Sequence, residues 1–440
     1  MKAPDPTRAA AARNPWWIPP FLGRVPAGIE PTHLALLGAV AFALLFEEYD
    51  LAMLTQALKH IAEDLGMAEQ NLGFYLGIVR IGGIPAVFLI PLADRLGRRR
   101  MFLISLSGSA LATFATGFSW NAASFVAFQM LVRTFFVAGS AIAYVLVTEE
   151  FPAMRRGWGM GVLAALSAFG YGLAAGMFAG IEGLPFGWRF LYWIGITPLL
   201  CLPFLRHRIP ESARFEKHRA SLALLAPAAP RIGRMRATFE PFWQLLAGST
   251  WRFLGITLCV AAQGFAGVAA FQFTGYYTQK VLGYAPWQFS LMFVGGGLFG
   301  ILGNVVAGHQ GDRVGQHADR ADGAVCMLAY PVFVALFYRG PSWVVPLAWV
   351  PFVFTSTGGR MIIRAFSTEL FGTDRRATAT GWTLLVESVA AAGGLFALGH
   401  LTMGEGDVAR ITPWLALVTW IGAFVLLLFP ETRSRELEEI

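Results

Sequence analysis

The sequence has few charged residues for its length. Asp, Glu, Lys and Arg make up 14% of the 440 residues, while hydrophobic residues make up 56%. Soluble domains carry about 25% charged residues, so a soluble chain of this size would lack the polar groups that its surface needs. The composition therefore excludes an ordinary soluble protein and predicts a chain embedded in a bilayer.

Several chemical signatures are also missing. The cysteines are scattered through apolar runs, at Cys201, Cys259 and Cys326, and no HExxH pattern occurs. We therefore expect buried free thiols, no disulfide framework, no metal site and no cofactor. There is no Walker A motif and no catalytic constellation, so neither ATP-driven transport nor an enzyme is expected. The first thirty residues lack an apolar segment with a cleavage site, and we expect no cleaved signal peptide.

Long apolar runs are abundant instead. A helix needs about 20 mostly apolar residues to cross a bilayer, and twelve runs meet this requirement. They lie near residues 33–57, 71–93, 101–119, 122–147, 158–181, 189–206, 252–279, 286–308, 322–338, 342–366, 377–400 and 411–429. The sequence therefore predicts an all-α membrane protein with twelve transmembrane helices.

The basic residues are distributed unevenly among the loops. With the N-terminus inside, 24 of the 34 Lys and Arg residues fall in cytoplasmic segments and 5 in outer loops. An excess of Lys and Arg marks the cytoplasmic side, so both termini are predicted to be cytoplasmic. This distribution explains the net charge of +7 without a nucleic-acid partner. The compact loops favour a bacterial inner membrane.

The two halves of the chain resemble each other. TEEFPAMRRGWGMG begins at Thr148 and TELFGTDRRATATG at Thr368, and PES at 210–212 matches PET at 430–432, both at an offset of 220. Asp94 and Asp312 match at an offset of 218. Parallel repeats of this kind are typical of two-bundle secondary transporters. The predicted divisions are tails at 1–32 and 430–440, six-helix bundles at 33–206 and 251–429, and a cytoplasmic linker at 207–250.

The loop motifs resemble those of the major facilitator superfamily. The segment from Asp94 to Arg100, DRLGRRR, is similar to the family's loop between the second and third helices. The Thr-Glu elements and the PES and PET motifs resemble the sugar-porter and organic-solute branches. Glu47-Glu48-Tyr49-Asp50 resembles the first-helix element of aromatic-acid/proton symporters, with Glu in place of the first Asp and of the Gly.

The resemblance implies a charged gate at the cytoplasmic rim. In the family, the loop Asp and Arg residues meet the Glu of the Thr-Glu element, and the cluster breaks as a unit when the halves separate. The alternative is that the arginines only fix the loops inside. The predicted gate residues are Asp94, Arg95, Arg98, Glu149, Arg155 and Arg156, mirrored by Asp312, Arg313, Arg364, Glu369, Arg375 and Arg376.

Charges inside the predicted helices point to function. A charge at mid-membrane costs about 2.5–3.5 kcal/mol on insertion scales, so it is retained for pairing or for function. Asp50 and Arg133 are the first-helix and fourth-helix positions that the sugar-porter resemblance pairs, and Glu47 lies three residues before Asp50 on the same face. We predict proton coupling at Asp50, Arg133 and Glu47, with a static ion pair as the alternative.

Further polar and aromatic positions are candidates for the substrate site, with helix packing or pairing as the alternative for each. They are Glu48, Arg80, Gln263, Gln272, Tyr276, Tyr277, Arg360, Trp382 and Glu387. Arg360 and Glu387 are also expected to pair with each other. Arginine binds carboxylates through two N–H donors, so the substrate is predicted to be a small organic acid.

These features together predict a monomeric secondary transporter that imports a small organic acid with protons. Alternatives are a sugar or polyol symporter, a proton/drug antiporter or a membrane receptor that does not transport. Exporters of the superfamily usually carry a Gly-Pro element in the fifth helix, and the run from Gly157 to Gly180 has no proline. Charges in both halves argue against a receptor.

Overall fold

The computed structural model describes residues 14–20, 24–152, 155–209, 250–314, 316–369, 376–404 and 406–429. Within these ranges it leaves out the side chains at 91, 94, 95, 252, 301–320, 361, 364–369 and 376–381. Most of the predicted tails and nearly all of the predicted linker 207–250, with the motifs at 210–212 and 430–432, lie outside the described residues. Arg375 lies outside them too.

In addition to the short helices Leu58–Asp64 and Ile181–Gly183, the described part of the chain contains twelve main helical segments. They are α1 (Pro31–Gln56), α2 (Glu69–Ile81 and Ala86–Leu96), α3 (Arg98–Thr116), α4 (Ala122–Glu150), α5 (Arg156–Phe178), α6 (Trp188–Ile194, Thr197–Leu200 and Leu202–Arg208), α7 (Thr250–Gln272, Thr274–Tyr276 and Tyr277–Val281), α8 (Pro286–Val314), α9 (Gln316–Arg339), α10 (Val345–Glu369), α11 (Arg376–Leu401) and α12 (Asp407–Ala416 and Val418–Leu428). Each predicted apolar run coincides with one segment, so the prediction of an all-α chain is confirmed.

The helices have the length and composition of membrane spans. Seven helices of the described part qualify as spans by length and hydropathy, and an eighth qualifies if the bent pair in α6 counts as one. Of the buried charges, Glu47 and Asp50 lie in α1, which is not among the seven, whereas Glu69 and Arg80 lie in α2, which is. The protein is therefore a multi-pass integral membrane protein.

The α2 helix is interrupted where the sequence weakens the helical ladder. The α2 segment breaks at 82–85, at Gly82, Gly83 and Pro85. Gly82 lies so close to α4 that a Cβ there would overlap the backbone of Met130. Proline removes a backbone donor, and glycine permits close helix approach. The break follows directly after Arg80, one of the buried charges.

The described residues of the two six-helix halves share one apolar cluster at one end of the molecule and form separate clusters at the other. At one end the buried apolar residues of both halves form a single cluster, with Tyr49 and Phe178 from one half and Phe289 and Trp349 from the other. At the end where α1 begins and α6 finishes, the described residues form a separate cluster. The corresponding end of the second half has its own cluster as well. We call the end with the shared cluster the seal end. We call the end with the two separate clusters the terminal end.

Candidate functional site

Two carboxylates of α1 are buried inside the first half. The Asp50 carboxylate accepts hydrogen bonds from the Thr113 hydroxyl at 3.0 Å and from the Gln129 amide at 3.4 Å. The Glu47 carboxylate accepts one from the Ser140 hydroxyl at 3.3 Å. Both acids are only 4% exposed. Their described partners are thus neutral donors from α3 and α4.

The direct contact expected between Asp50 and Arg133 is not formed. Among the residues that the structure describes, Arg133 makes no ion pair with Asp50, although both line one narrow cavity. Gln129, one helical turn before Arg133 on α4, reaches Asp50 instead. Arg133 remains near enough to interact electrostatically with Asp50. The expectation of a contact pair is therefore corrected, because the shorter-range partner is the amide.

Three arginines from both halves converge near the middle of the molecule, and we call Arg80, Arg133 and Arg360 the arginine group. Arg80 and Arg133 interact electrostatically with each other and with Arg360. Arg80 donates from Nη2 to the Gln272 side-chain oxygen at 2.9 Å. The Arg133 guanidinium lies 5.0 Å from the centre of the Phe136 ring. Its buried Nε has no hydrogen-bond partner among the described residues.

Two acids and a tyrosine complete this central region. Glu48 and Glu387 both interact electrostatically with Arg133, and Glu387 lies 3.8 Å from Arg360, as predicted. Tyr171 of α5 interacts electrostatically with Glu48 and with all three arginines. Asp50 also interacts with Arg133, so three carboxylates balance the three guanidinium groups while Asp50 is ionised, and one positive charge is in excess once Asp50 is protonated. Because an uncompensated charge at membrane depth is costly, the region is suited to a single anionic ligand.

The predicted residue Gln272 joins the two halves directly beside the arginine group. Its amide nitrogen donates to the Thr55 hydroxyl at 3.1 Å, while its oxygen accepts from Arg80. It is 1% exposed. Gln279, two turns further along α7, donates to the Gln56 carbonyl at 2.8 Å. Gln272 therefore marks the boundary between the central region and the seal end.

At the seal end, Glu69 of the first half caps a helix of the second. One carboxylate oxygen accepts from the backbone N–H of Gly406 at 3.0 Å and of Val408 at 3.4 Å, at the start of α12. The other accepts from the Tyr276 hydroxyl at 3.2 Å. The first N–H groups of a helix need such an acceptor. The carboxylate thus ties three elements together across the boundary between the halves.

Close backbone approach completes the seal. A Cβ on Gly275 of α7 would overlap the Thr55 carbonyl oxygen, and a Cβ on Gly73 of α2 would overlap the backbone of Gly399 in α11. Beside them, the short helix Leu58–Asp64 carries His60, whose ring packs edge-on against Phe178. Burial, with the nearby Lys59, lowers the pKa of His60 from its ordinary value. Burial therefore disfavours the charged form of the histidine while this end is closed.

Four predicted substrate residues have described partners outside the arginine group. Tyr276 belongs to the seal, and Tyr277 packs on Tyr338 with ring centres 4.9 Å apart. Trp382 donates to the Thr257 hydroxyl at 2.9 Å, near the terminal end. The Gln263 amide donates to the Ser356 carbonyl at 3.4 Å inside the second half. These four side chains bond to or pack on neighbours that residue spacing in the sequence did not predict.

The gate residues with described side chains lie at the terminal end. Arg98 Nε is 2.8 Å from a Glu149 carboxylate oxygen, so the expected contact between these two residues is present. Arg156 donates to the Phe151 carbonyl at 3.3 Å, and Arg155 is exposed. The side chains of the other predicted gate residues lie outside the described set: Asp94, Arg95, Asp312, Arg313, Arg364, Glu369, Arg375 and Arg376. A gate that spans both halves stays a prediction.

Sequence reasoning missed four residues of this region: Thr113, Gln129, Tyr171 and Glu69. Gln129 had a usable signal, since it is polar within an apolar run and lies four residues before Arg133 on the same helical face. Tyr171 is the one tyrosine in a run rich in alanine and glycine. Glu69 had no such signal, because a carboxylate at a loop–helix junction is ordinarily a local cap or a solvated group.

Comparison with known proteins supplies the family. The model of the Major Facilitator Superfamily matches residues 40–395. The chain is 28% identical over 383 residues to the cis,cis-muconate transport protein of Acinetobacter baylyi, covering 82% of this chain and 88% of that protein. It is 26% identical to the gallate transporter of Pseudomonas putida, covering 82% of this chain and 84% of that one.

A solved structure shares the fold. The crystal structure of a D-xylose-proton symporter superposes with a TM-score of 0.71 at 18% identity, covering 92% of this chain and 99% of that one. The helix order and the two paired halves agree with this fold. The rim motifs and the family match over most of the chain agree with it as well. The chain belongs to the major facilitator superfamily and is a membrane transporter rather than an enzyme.

Proposed function

We propose that this transporter imports a small organic acid together with protons by alternating access, in a bacterial inner membrane and with both termini in the cytoplasm. The arginine group is the proposed substrate site, and Asp50, with Glu47 beside it, is the proposed proton site. The proposal includes the division into two bundles at 33–206 and 251–429, joined by a cytoplasmic linker at 207–250, working as a monomer.

The observation that carries the proposal is the buried Nε of Arg133. It lies in a cavity without a hydrogen-bond partner among the described residues, in a region that carries one surplus positive charge once Asp50 is protonated. A buried donor that lacks a partner costs roughly 1–3 kcal/mol. A substrate carboxylate would satisfy this donor and neutralise the surplus charge together, whereas an uncharged sugar would do only the first.

The proton site is favoured by the partners of Asp50. The carboxylate is buried and hydrogen-bonded to the neutral Thr113 and Gln129, with Arg133 acting on it through space. Taking up a proton removes the cost of holding that charge away from water. The Arg133 charge then needs a new counter-charge. The substrate carboxylate supplies it, so binding of proton and substrate would be linked.

In the proposed transport cycle, the seal end is closed in one state and open in the other. Its contacts join α1 and α2 to α7 and α12, and all of them must break for this end to open. We assign this end to the outside of the cell, which makes the described state closed to the outside. The named substrates of the two relatives, muconate and gallate, are organic acids, which supports a carboxylate for this chain.

Binding measurements on purified protein test the substrate class. We expect thermal stabilisation by small carboxylates such as benzoate and muconate, and none by xylose or benzylamine. Arg133→Gln should abolish the stabilisation by carboxylates. Arg339→Gln is the control, because Arg339 is exposed and donates to the Arg410 carbonyl. Stabilisation by xylose alone, or carboxylate binding that survives Arg133→Gln, would overturn the assignment.

A further inference from the structure

Tyr171 lies between the charged arginine group and a row of aromatic rings. It lies on α5 of the first half, and it interacts electrostatically with Glu48, Arg80, Arg133 and Arg360 from four different helices. Its ring also contacts the second half, where Phe293 of α8 faces it. One side of Tyr171 is therefore polar and cationic, and the other is aromatic.

The aromatic side continues beyond the first contact. The Tyr171 and Phe293 rings are nearly parallel, with planes 20° apart and centres 6.1 Å apart. Phe293 stacks in turn on Trp349 at 5.7 Å, and Trp349 stacks on Phe271 at 5.7 Å. Phe293 and Trp349 are buried, whereas Tyr171 is partly exposed. The row of stacked aromatic rings thus ends at Tyr171, next to the arginine group.

The pair must separate to hold a ring. A flat guest between two rings needs about 7 Å between their planes, since optimal carbon contacts are about 3.5 Å on each face. The ring centres are now 6.1 Å apart, which is within the range of an offset stack in direct contact. Because Tyr171 and Phe293 belong to different halves, a small relative movement of the halves widens the gap. The contact is therefore able to open and close with the transport cycle.

We infer that Tyr171 and Phe293 form a clamp that selects a planar, conjugated ring on the substrate. The clamp holds the ring while the arginine group holds the carboxylate. The inference rests on the proposed function, because it assumes a carboxylate at Arg133. It deepens that function by assigning the preference for flat substrates to a residue pair shared between the halves. Contacts of aromatic faces add attraction beyond the area that they bury, so two faces should produce a measurable selectivity.

The test compares two acids whose rings differ in flatness and aromaticity. Benzoate and cyclohexanecarboxylate have the same number of carbon atoms and the same carboxylate, but only benzoate is planar. Calorimetric titration of purified protein should show benzoate binding at least tenfold more tightly. In Tyr171→Leu and in Phe293→Leu this ratio should fall below about threefold, with the affinity for cyclohexanecarboxylate almost unchanged. Tyr171→Phe keeps the ring and should keep the ratio.

Phe299→Leu is the matched control, since Phe299 lies on the same helix as Phe293 and is exposed. It should leave both affinities as they are. The clamp is refuted if the wild type binds the two acids equally, or if Tyr171→Leu and Phe293→Leu weaken both acids by the same factor. Those results leave the carboxylate proposal intact. If the wild type binds neither acid but binds xylose, the proposed function fails and the clamp fails with it.

Discussion

The seal end and the terminal end hold the molecule together in different ways. At the seal end, side chains of one half bond to the other half, as Glu69 does with the start of α12 and Gln272 with Thr55. At the terminal end, the described ion pair of Arg98 and Glu149 joins α3 to α4 within the first half. Among the described residues, the hydrogen bonds between the halves are concentrated at the seal, and we expect these contacts to change between states.

The difference predicts that equivalent changes at the two ends have different consequences. A change at the seal should alter the balance between closed and open states. A change at the terminal pair should alter the stability of one half. Spin labels at Ala68 and Val281, exposed residues on opposite halves, would report the opening of the seal as a distance.

The largest effect is expected from a side chain on Gly275. Gly275→Leu places carbon atoms where the Thr55 carbonyl lies, and overpacking of this kind costs roughly 1–3 kcal/mol or more. The seal should fail to close, the label distance should lengthen, and substrate uptake should fall at least tenfold. Gly176→Leu is the control, because nothing lies near Gly176. An unchanged label distance in Gly275→Leu would contradict the assignment of the seal.

A smaller shift is expected from removing the Glu69 carboxylate. Glu69→Ala leaves the N–H groups of Gly406 and Val408 and the Tyr276 hydroxyl without their acceptor, at a cost of roughly 1–3 kcal/mol. The open population should rise in the label measurement. Glu69→Gln retains an acceptor oxygen and should be milder.

Glu63→Ala provides the matched comparison for Glu69. Glu63 also reaches across the seal, to Lys280 at 3.4 Å, but both side chains are largely exposed. Exposed pairs contribute little, so the label distance should stay near that of the wild type. If the two alanine variants shift the distance equally, burial is not what makes Glu69 effective.

The terminal pair should behave differently. Arg98→Gln removes the ion pair with Glu149, which is partly buried, and should lower the free energy of unfolding by about 1 kcal/mol. Because the pair lies within one half, the distance between Ala68 and Val281 should stay at its closed value. Thermal unfolding and the label distance, measured on the same samples, check both statements. A lengthened distance would show that the two ends are not independent in this state.

The smallest effect concerns pH at the seal. The pKa of His60 is lowered in the closed state from its ordinary 6.5, mainly by burial. When the seal opens and exposes the ring, the pKa returns toward that value, so the open state binds the proton more readily. Closure should therefore become slightly less favourable as pH falls below about 6.5. The label distance measured between pH 8 and 5 should show this in the wild type and less in His60→Gln.

The sequence predicted the helices well and their facing surfaces only in part. Apolar runs mark membrane spans directly, which is why the twelve segments agree with prediction. The contact of Arg98 with Glu149 followed from a loop motif. The Asp50–Arg133 contact did not form, because the rotation of α1 against α4 places Gln129 nearer, and rotation is not encoded in spacing along one helix. Glu69 and Gly406 are 337 residues apart, and only the folded chain brings them together.

The central claim is that Asp50 couples the proton to the substrate at Arg133. Its most direct test is transport by Asp50→Asn in proteoliposomes, with benzoate as substrate. Asparagine keeps the size of the side chain and cannot take up the proton. We expect exchange of labelled for unlabelled benzoate to continue at a rate near that of the wild type, while accumulation driven by a pH gradient is abolished. Accumulation of benzoate against its gradient by Asp50→Asn would contradict the account.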